Sequence, residues 1–410
     1  MAQDSSAAYF RKGFGLKSEV EGTLSADYTG RLVDLLKARD FALSAGGVTV
    51  RLAREFGFCY GVERAVEYAY QTRRKFPDRR IVLVGEIIHN PHVNAKLREM
   101  GIEILEARPD AAGAPGFDYA GIAPGDVVIL PAFGVTISDF ETLRGIGCVV
   151  VDTTCGSVLN VWKRVDSYAR DGFTALIHGK YYHEETRATA SQVLKYPGGQ
   201  YLVVRSMDEA KIVCDFIEGR LPAPAFLERF AHAVSPGFDP ERDLKCIGVA
   251  NQTTMLARES LAIAQEVGLA MARVHGEEHR AGCFRTFDTI CSATQDRQDA
   301  VAELLALHPD VMLVVGGYNS SNTISLAALC AERVPTFHVE DAEGIDPVTG
   351  TVRFRPAGIV AGEEERAGWL APVGPVTVGL TAGASTPNNK IGEAVARIFA
   401  TRGVDPATIG

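Results

Sequence analysis

Short runs of β-branched and apolar residues recur along most of the chain: IVLV at 81–84, DVVIL at 126–130, CVVVD at 148–152, FTALIHG at 173–179, CIGVA at 246–250, VMLVVGG at 311–317, TFHV at 336–339 and VTVGL at 376–380. Helix-period segments lie between them. Val62, Ala65, Val66 and Ala69 fall at i, i+3, i+4 and i+7, Val158, Val161, Trp162 and Val165 repeat the spacing, and Val301, Leu304 and Leu305 form a third such face. Strands alternating with amphipathic helices predict an α/β chain built on parallel sheets. Two stretches break the alternation. Residues 1–47 are polar and irregular and read as an N-terminal extension; about 215–245, where EGRLPAPAF and VSPGFDPERD carry Pro and Gly turns, reads as a surface insertion.

A looser recurrence runs through this pattern. RLAREFGFCYGVERAV, VVVDTTCGSVLNVW and FRTFDTICSATQDRQDAV each pass from a strand through a cysteine into a helix, placing Cys59, Cys155 and Cys291 at equivalent points. Ligands of open α/β sheets bind at this carboxyl end, and a helix N-terminus favours a thiolate. Read singly, each cysteine is a candidate for simple burial. Taken together, three thiolates in one repeated context predict a soft-metal site with one position not filled by cysteine, iron–sulfur first and zinc second. The other five cysteines lack that context and are assigned to packing.

The 410 residues suit two or three domains at about 150 residues each. With 46% hydrophobic and 23% charged residues, 41 Gly and 19 Pro, the composition excludes disordered, collagen-like and coiled-coil classes. A net charge of −9 argues against nucleic acid and anionic membranes as partners. Eight cysteines with no close CxxC pair do not form a small disulfide scaffold, and the start MAQDSSAAYFRKGF has no apolar signal core. The expectation is a cytoplasmic protein with reduced thiols.

Polar clusters follow the strands. NSSNT at 319–323 opens a helix after strand 311–317, where Ser320, Ser321 and Asn322 add side-chain donors to backbone N–H groups, and TAGAS at 381–385 places Ser385 beyond the next strand. Either is an ordinary cap when taken alone; the two together suggest phosphate oxygens. His89 in GEIIHNP and His183 in HGKYYHEET lie beyond strand ends, where histidine pairs with anions or relays protons. Glu184 and Glu185 adjoin His183, and a carboxyl group in a closed pocket can serve as an acid. Thr253 and Thr254 in NQTTM add hydroxyls.

The ordered blocks GFCYGVERA, EIIHN, DTTCG, HEET, NQTT, TICSAT, NSSN and TAGAS, between about residues 48 and 395, closely resemble the LytB family of 4-hydroxy-3-methylbut-2-enyl diphosphate reductases, which perform the last step of the non-mevalonate isoprenoid pathway. The FRKGFG opening and PAFGV at 131–135 resemble its longer cyanobacterial and plastid-type branch. The resemblance implies three pseudo-symmetric parallel-sheet α/β domains in a trefoil around a central 4Fe-4S cluster. It implies Cys59, Cys155 and Cys291 as cluster ligands, with the apical iron taking the substrate hydroxyl, which leaves as water to give isopentenyl and dimethylallyl diphosphate. Glu185 would belong to the proton relay and Thr253 would help orient the hydroxyl. His89, His183, Ser320, Asn322 and Ser385 would hold the diphosphate, with Ser321 beside them.

On this reading residues 1–47 are the extension, 48–58 a strand joining the third domain, 59–154 the first domain, 155–285 the second with its insertion, and 286–410 the third with the C-terminal segment. One departure stands out: Phe133 occupies a position where many bacterial members carry a pocket histidine. Lys180 and Tyr182 are candidates to compensate. Five basic residues, Arg73, Arg74, Lys75, Arg79 and Arg80, crowd TRRKFPDRR. A solvated helix end accounts for them, and docking of an acidic ferredoxin or flavodoxin as electron donor is the sharper expectation. Two other classes compete: a metal-binding module without reductase chemistry, disfavoured by the proton-donor and anion-pocket residues, and a thiol–disulfide oxidoreductase, disfavoured by the lack of a close cysteine pair.

Overall fold

The computed structural model describes residues 8–109, 115–287, 289–358 and 362–409. The chain divides into two compact units, the first of Met1–Gly13, Phe76–Ile87 and Gly101–Cys291, the second of Phe14–Lys75, Ile88–Met100 and Ser292–Gly410. The first unit holds two parallel sheets. One has five strands in the order Tyr9–Phe10, Val149–Asp152, Val127–Leu130, Ile81–Val84 and Ile102–Leu105. The other runs Tyr201–Val204, Thr174–His178, Ile247–Asn251 and Phe284–Thr286. Strands such as Ile81–Val84, Val127–Leu130 and Thr174–His178 are buried at every residue, which explains why they read as continuous apolar runs rather than alternations.

The second unit is built on a five-stranded sheet ordered Thr336–Val339, Val311–Val315, Val376–Ala382, Val48–Leu52 and Ala42–Ala45. Its first four strands are parallel; the last is antiparallel. Gly46 and Gly47, at φ 59° and 78°, close that final hairpin with the left-handed backbone a two-residue turn requires. A small antiparallel sheet of Ile345–Asp346, Thr351–Phe354 and Glu364–Ala367 belongs to the same unit.

The predicted helical faces are present. Ala65, Val66 and Ala69 are buried on helix Tyr60–Lys75, Val158, Val161 and Val165 on helix Gly156–Arg170, and Val301, Leu304 and Leu305 on helix Ser292–Leu305. The two interrupting stretches differ from expectation. Residues 17–45 form helices Lys17–Tyr28 and Arg31–Ala38 and the strand Ala42–Ala45, so much of the extension is regular structure. The region 215–245 does not lie wholly on the surface. Helix Ala223–Phe230 buries Phe226 and Phe230, which join Phe238 in the core packed on the second sheet. The Phe226 ring centroid lies 5.0 Å from Phe216 and 4.7 Å from Phe230. Pro and Gly mark the turns correctly, but the aromatic residues between them supply core.

The reduced-thiol expectation also requires correction, since Cys246 and Cys283 are joined in a disulfide. Cys148, Cys214 and Cys330 are buried packing residues, and burial pushes the thiol pKa of Cys214 up to about 11 and that of Cys330 up to about 12.

Phe226→Ala is expected to destabilise the chain by about 3–5 kcal/mol, the usual cost of emptying a buried aromatic site. Urea unfolding of the two proteins measures it; a change below about 0.5 kcal/mol would place the segment on the surface after all.

Candidate active site

In the second unit a polar cradle grows from two neighbouring strand ends. Strand Val311–Val315 runs into Gly316 and Gly317, and Ser320 caps helix Ser321–Ala331 by accepting from Thr323 N at 3.4 Å. Strand Val376–Ala382 runs into Ser385, whose Oγ donates to the His89 carbonyl at 3.1 Å and lies 3.3 Å from Ser320 Oγ. With the Ser385 proton committed to that carbonyl, the Ser320 hydroxyl keeps its own proton to donate.

Asn322 turns its Oδ1 to Ala384 N at 2.9 Å, and its Nδ2 is a buried donor with no hydrogen-bond partner among the described residues. His89, Ser320, Ser321, Asn322 and Ser385 are therefore gathered within one unit, none more than 8% exposed. Glycine permits this closeness: a Cβ on Gly317 would stand 2.7 Å from the His89 carbonyl oxygen, and one on Gly383 would stand 1.9 Å from Thr323 Oγ1. Buried donors beside the N–H groups of a helix start fit an anion with several oxygens.

Cys59 lies in this same unit, immediately before helix Tyr60–Lys75, and its Sγ accepts from Val62 N at 3.5 Å. Its own N–H donates to Ala384 O at 3.2 Å, so the cysteine loop is seated on the TAGAS turn. Arg297 reinforces it: this buried guanidinium donates to the Gly57 carbonyl at 2.7 Å.

In the first unit the HEET and NQTT turns are locked together. Gln252 Oε1 accepts from Lys180 N and from Thr186 Oγ1, both at 3.1 Å, and its Nε2 donates to Thr254 Oγ1 at 2.9 Å. That clamp sets Glu185, 2% exposed, against Thr253, whose N–H donates to Glu185 Oε1 at 2.6 Å. His183 caps helix Glu184–Ser191, its Nδ1 accepting from Glu185 N at 3.1 Å. A neutral ring that accepts at Nδ1 carries its proton on Nε2, so His183 is a donor at its outer edge. The Phe133 ring packs edge-on against His183, centroids 5.6 Å apart. Lys180 has its pKa lowered by burial, and His178, buried beneath this turn, is pushed down to about 4 by the same cause and stays neutral.

Cys155, at the N-cap of helix Gly156–Arg170, and Cys291, just before helix Ser292–Leu305, also belong to the first unit. The loop carrying Cys155 is held by Asp152, whose Oδ1 accepts from Thr154 N at 2.9 Å and Thr154 Oγ1 at 2.5 Å, while Oδ2 accepts from the Tyr9 hydroxyl. Cys155 N donates to Ala132 O at 2.9 Å. Asn251 N donates to Thr289 Oγ1 at 2.8 Å, tying the loop before Cys291 to the strand that leads to Thr253. Cys59, Cys155 and Cys291 are half-buried, each precedes a helix, and none is in a disulfide, whereas the packing thiols are fully buried. Accessible thiols at helix starts fit thiolate ligation of a soft metal or an iron–sulfur cluster.

Four contributors were not singled out in the sequence. Gln252 sits inside NQTT and Asp152 beside the DTTC cysteine, so both were within reach of a motif reading. Arg297 reads as one more charge on a polar helix. Tyr9 belongs to a two-residue strand, too short to leave a period.

The family model described as LytB protein matches residues 50–399. A Gloeobacter violaceus protein named 4-hydroxy-3-methylbut-2-enyl diphosphate reductase is 46% identical over 398 residues, covering 97% of this chain and 93% of the relative. One of the same name from Thermosynechococcus vestitus is 44% identical over 401 residues, covering 98% and 96%. Among solved structures, that of (E)-4-hydroxy-3-methyl-but-2-enyl diphosphate reductase, the terminal enzyme of the non-mevalonate pathway, aligns with a TM-score of 0.51 at 26% identity, covering 85% of this chain and 98% of that one. The Plasmodium falciparum E-1-hydroxy-2-methyl-but-2-enyl-4-diphosphate reductase shares the fold, with a TM-score of 0.60 at 22% identity, covering 84% and 86%. A match over most of the length establishes that the chain belongs to the LytB family.

Proposed function

We propose that the chain reduces 4-hydroxy-3-methylbut-2-enyl diphosphate to isopentenyl and dimethylallyl diphosphate, consuming two electrons and two protons and releasing the allylic hydroxyl as water. The observation that carries this reading is the buried Glu185 carboxyl group fixed by Thr253 N at 2.6 Å, within a family of that activity. Cys59, Cys155 and Cys291 would hold a 4Fe-4S cluster, which when bound supplies the electrons and a Lewis-acidic iron. The protein's own groups bind, orient and protonate.

His89, His183, Ser320, Asn322 and Ser385, with Ser321 beside them, are the groups proposed for the diphosphate. His183 would donate from Nε2, Asn322 from Nδ2 and Ser320 from its hydroxyl, and buried donors of this kind hold an anion without water. With Oε1 of Glu185 held by the Thr253 amide, the proton to be transferred would be carried on Oε2. Thr253 serves to hold that carboxyl group in place and offers its hydroxyl to the substrate. Phe133 packs at right angles to His183 and adds apolar surface beside it.

Ferredoxin or flavodoxin is the proposed electron donor. Within the basic segment, Arg74 pairs with Glu19 at 2.9 Å and Arg80 pairs with Glu103 and Asp126. Arg79 donates to the Gly125 carbonyl. Attraction for an acidic partner therefore rests less on Arg74 and Arg80 than their charges suggest, and Lys75, exposed at the end of its helix, is the residue to probe.

Anaerobic turnover of the reconstituted chain with dithionite and viologen should yield both five-carbon diphosphates. Glu185→Gln keeps the acceptor for Thr253 N but cannot release a proton, so kcat should fall by about 10²-fold or more with KM nearly unchanged. Full activity in that variant would remove the acid role. Lys75→Glu should slow ferredoxin-supported turnover about threefold at low salt and leave viologen-supported turnover unchanged; equal effects in both assays would rule out docking at this helix end.

A further inference from the structure

The turn that delivers Ser320 and Asn322 is held by residues outside the cradle, all of them in the second unit. Strand Val311–Val315 runs into Gly316, whose N–H still donates to the Val339 carbonyl at 3.0 Å. At φ 149° the chain then leaves the sheet ladder, where a Cβ would stand 2.6 Å from Thr386 Oγ1 and 2.8 Å from Thr323 Oγ1. The Gly316 carbonyl points instead at an imidazole, 2.9 Å from His338 Nε2.

His338 stands one residue before the end of strand Thr336–Val339 and is 3% exposed. Phe337 and Val339 face the core on one side of this strand. On the other side Val314, the in-register neighbour of His338, packs in an apolar cluster, so a polar ring here needs a partner. A carbonyl only accepts, so Nε2 carries the proton of the neutral ring. Burial pushes the His338 pKa down to about 4, and the Arg355 charge acts in the same direction, which leaves an uncharged donor near pH 7.

The contacts continue along the turn. Tyr318 N donates to Glu340 Oε1 at 3.4 Å, and the Tyr318 carbonyl accepts from Arg355 Nη1 at 3.0 Å. The Tyr318 ring packs edge-on to His338, centroids 5.0 Å apart, and carries the Arg355 guanidinium 4.2 Å from its centroid. Downstream, Ser320 N donates to the Gly317 carbonyl at 3.0 Å, and Asn319 Nδ2 lies 3.4 Å from His89 Nδ1. A displaced Gly316–Tyr318 segment therefore carries the Ser320 cap and the contact with His89 along with it.

We infer that His338, supported by Arg355, is a positioning residue for diphosphate binding, acting on the substrate only through the Gly316 carbonyl and the turn that bears Ser320 and Asn322. The inference rests on the assignment of those two residues to the diphosphate. A brace of this kind serves ground state and transition state alike, so its loss raises KM and spares kcat.

The test uses the full-length, cluster-loaded protein under anaerobic conditions and reads KM and kcat with viologen as reductant, the Kd of inorganic pyrophosphate by calorimetry, and Tm. His338→Leu fills similar space but cannot donate; KM and the pyrophosphate Kd should each rise at least tenfold, with kcat within twofold. His338→Gln offers an amide N–H to the same carbonyl and should bring both constants back to within threefold of wild type. Arg355→Met, at a partly exposed position, should raise both about threefold and decides the matter if His338→Leu does not fold. Unchanged constants in His338→Leu, or in Arg355→Met where it stands in, would overturn the inference. So would equal losses in the Leu and Gln variants, or a fall in kcat and Tm with the pyrophosphate Kd unmoved. Asn322→Ala separates the two readings: if it binds pyrophosphate as wild type does, the diphosphate assignment fails and this inference with it, whereas weak binding there beside normal binding in His338→Leu removes the positioning role alone.

Discussion

A strand buried on both faces takes polar side chains only at its ends, as Thr174, His178 and Asn251 show here. In this chain Ile81–Val84, Val127–Leu130, Thr174–His178, Ile247–Asn251 and Val311–Val315 are all of that kind. Every group with chemistry to perform must therefore sit in the turn that leaves the strand, and the parallel arrangement brings neighbouring turns of a sheet to the same edge. The following helix then supplies unpaired N–H groups to that edge. His183 and Ser320 are N-caps because this is where a polar side chain costs least.

This constraint also explains what was legible in the sequence. Apolar runs and the polar blocks after them are local signals, so the strands, the following helices and the motif residues could be read directly. Relations between distant segments could not. Gln252 clamps two turns through three hydrogen bonds, yet a glutamine between an asparagine and a threonine looks like one more polar loop residue. Arg297 is buried because the Gly57 carbonyl is there to receive it, a fact no helical period records. Phe226, Phe230 and Phe238 lay among prolines and glycines that correctly signalled turns, and the turn signal masked an aromatic cluster. The Cys246–Cys283 pair is separated by 37 residues and becomes adjacent only when parallel strands align their starting points.

Phe133 illustrates how a substitution can be absorbed by shape. An aromatic ring edge-on to His183 restricts the imidazole and removes water from one side of it, and the Nδ1 contact with Glu185 N fixes the tautomer. A second imidazole there would have added a titratable group.

The sheet of the second unit places the chain's beginning beside its end. Strand Val48–Leu52 pairs only with Val376–Ala382 on its parallel side, more than three hundred residues later. During synthesis at about 5–20 residues per second, the glycine-closed hairpin has formed its local pairs and then presents an apolar edge for roughly 15–60 s before its partner leaves the ribosome. A strand made early is thus among the last to be covered. For the cell, the vulnerable species is the nascent chain, and slow translation over the last third of the message lengthens the time in which that exposed edge meets other chains.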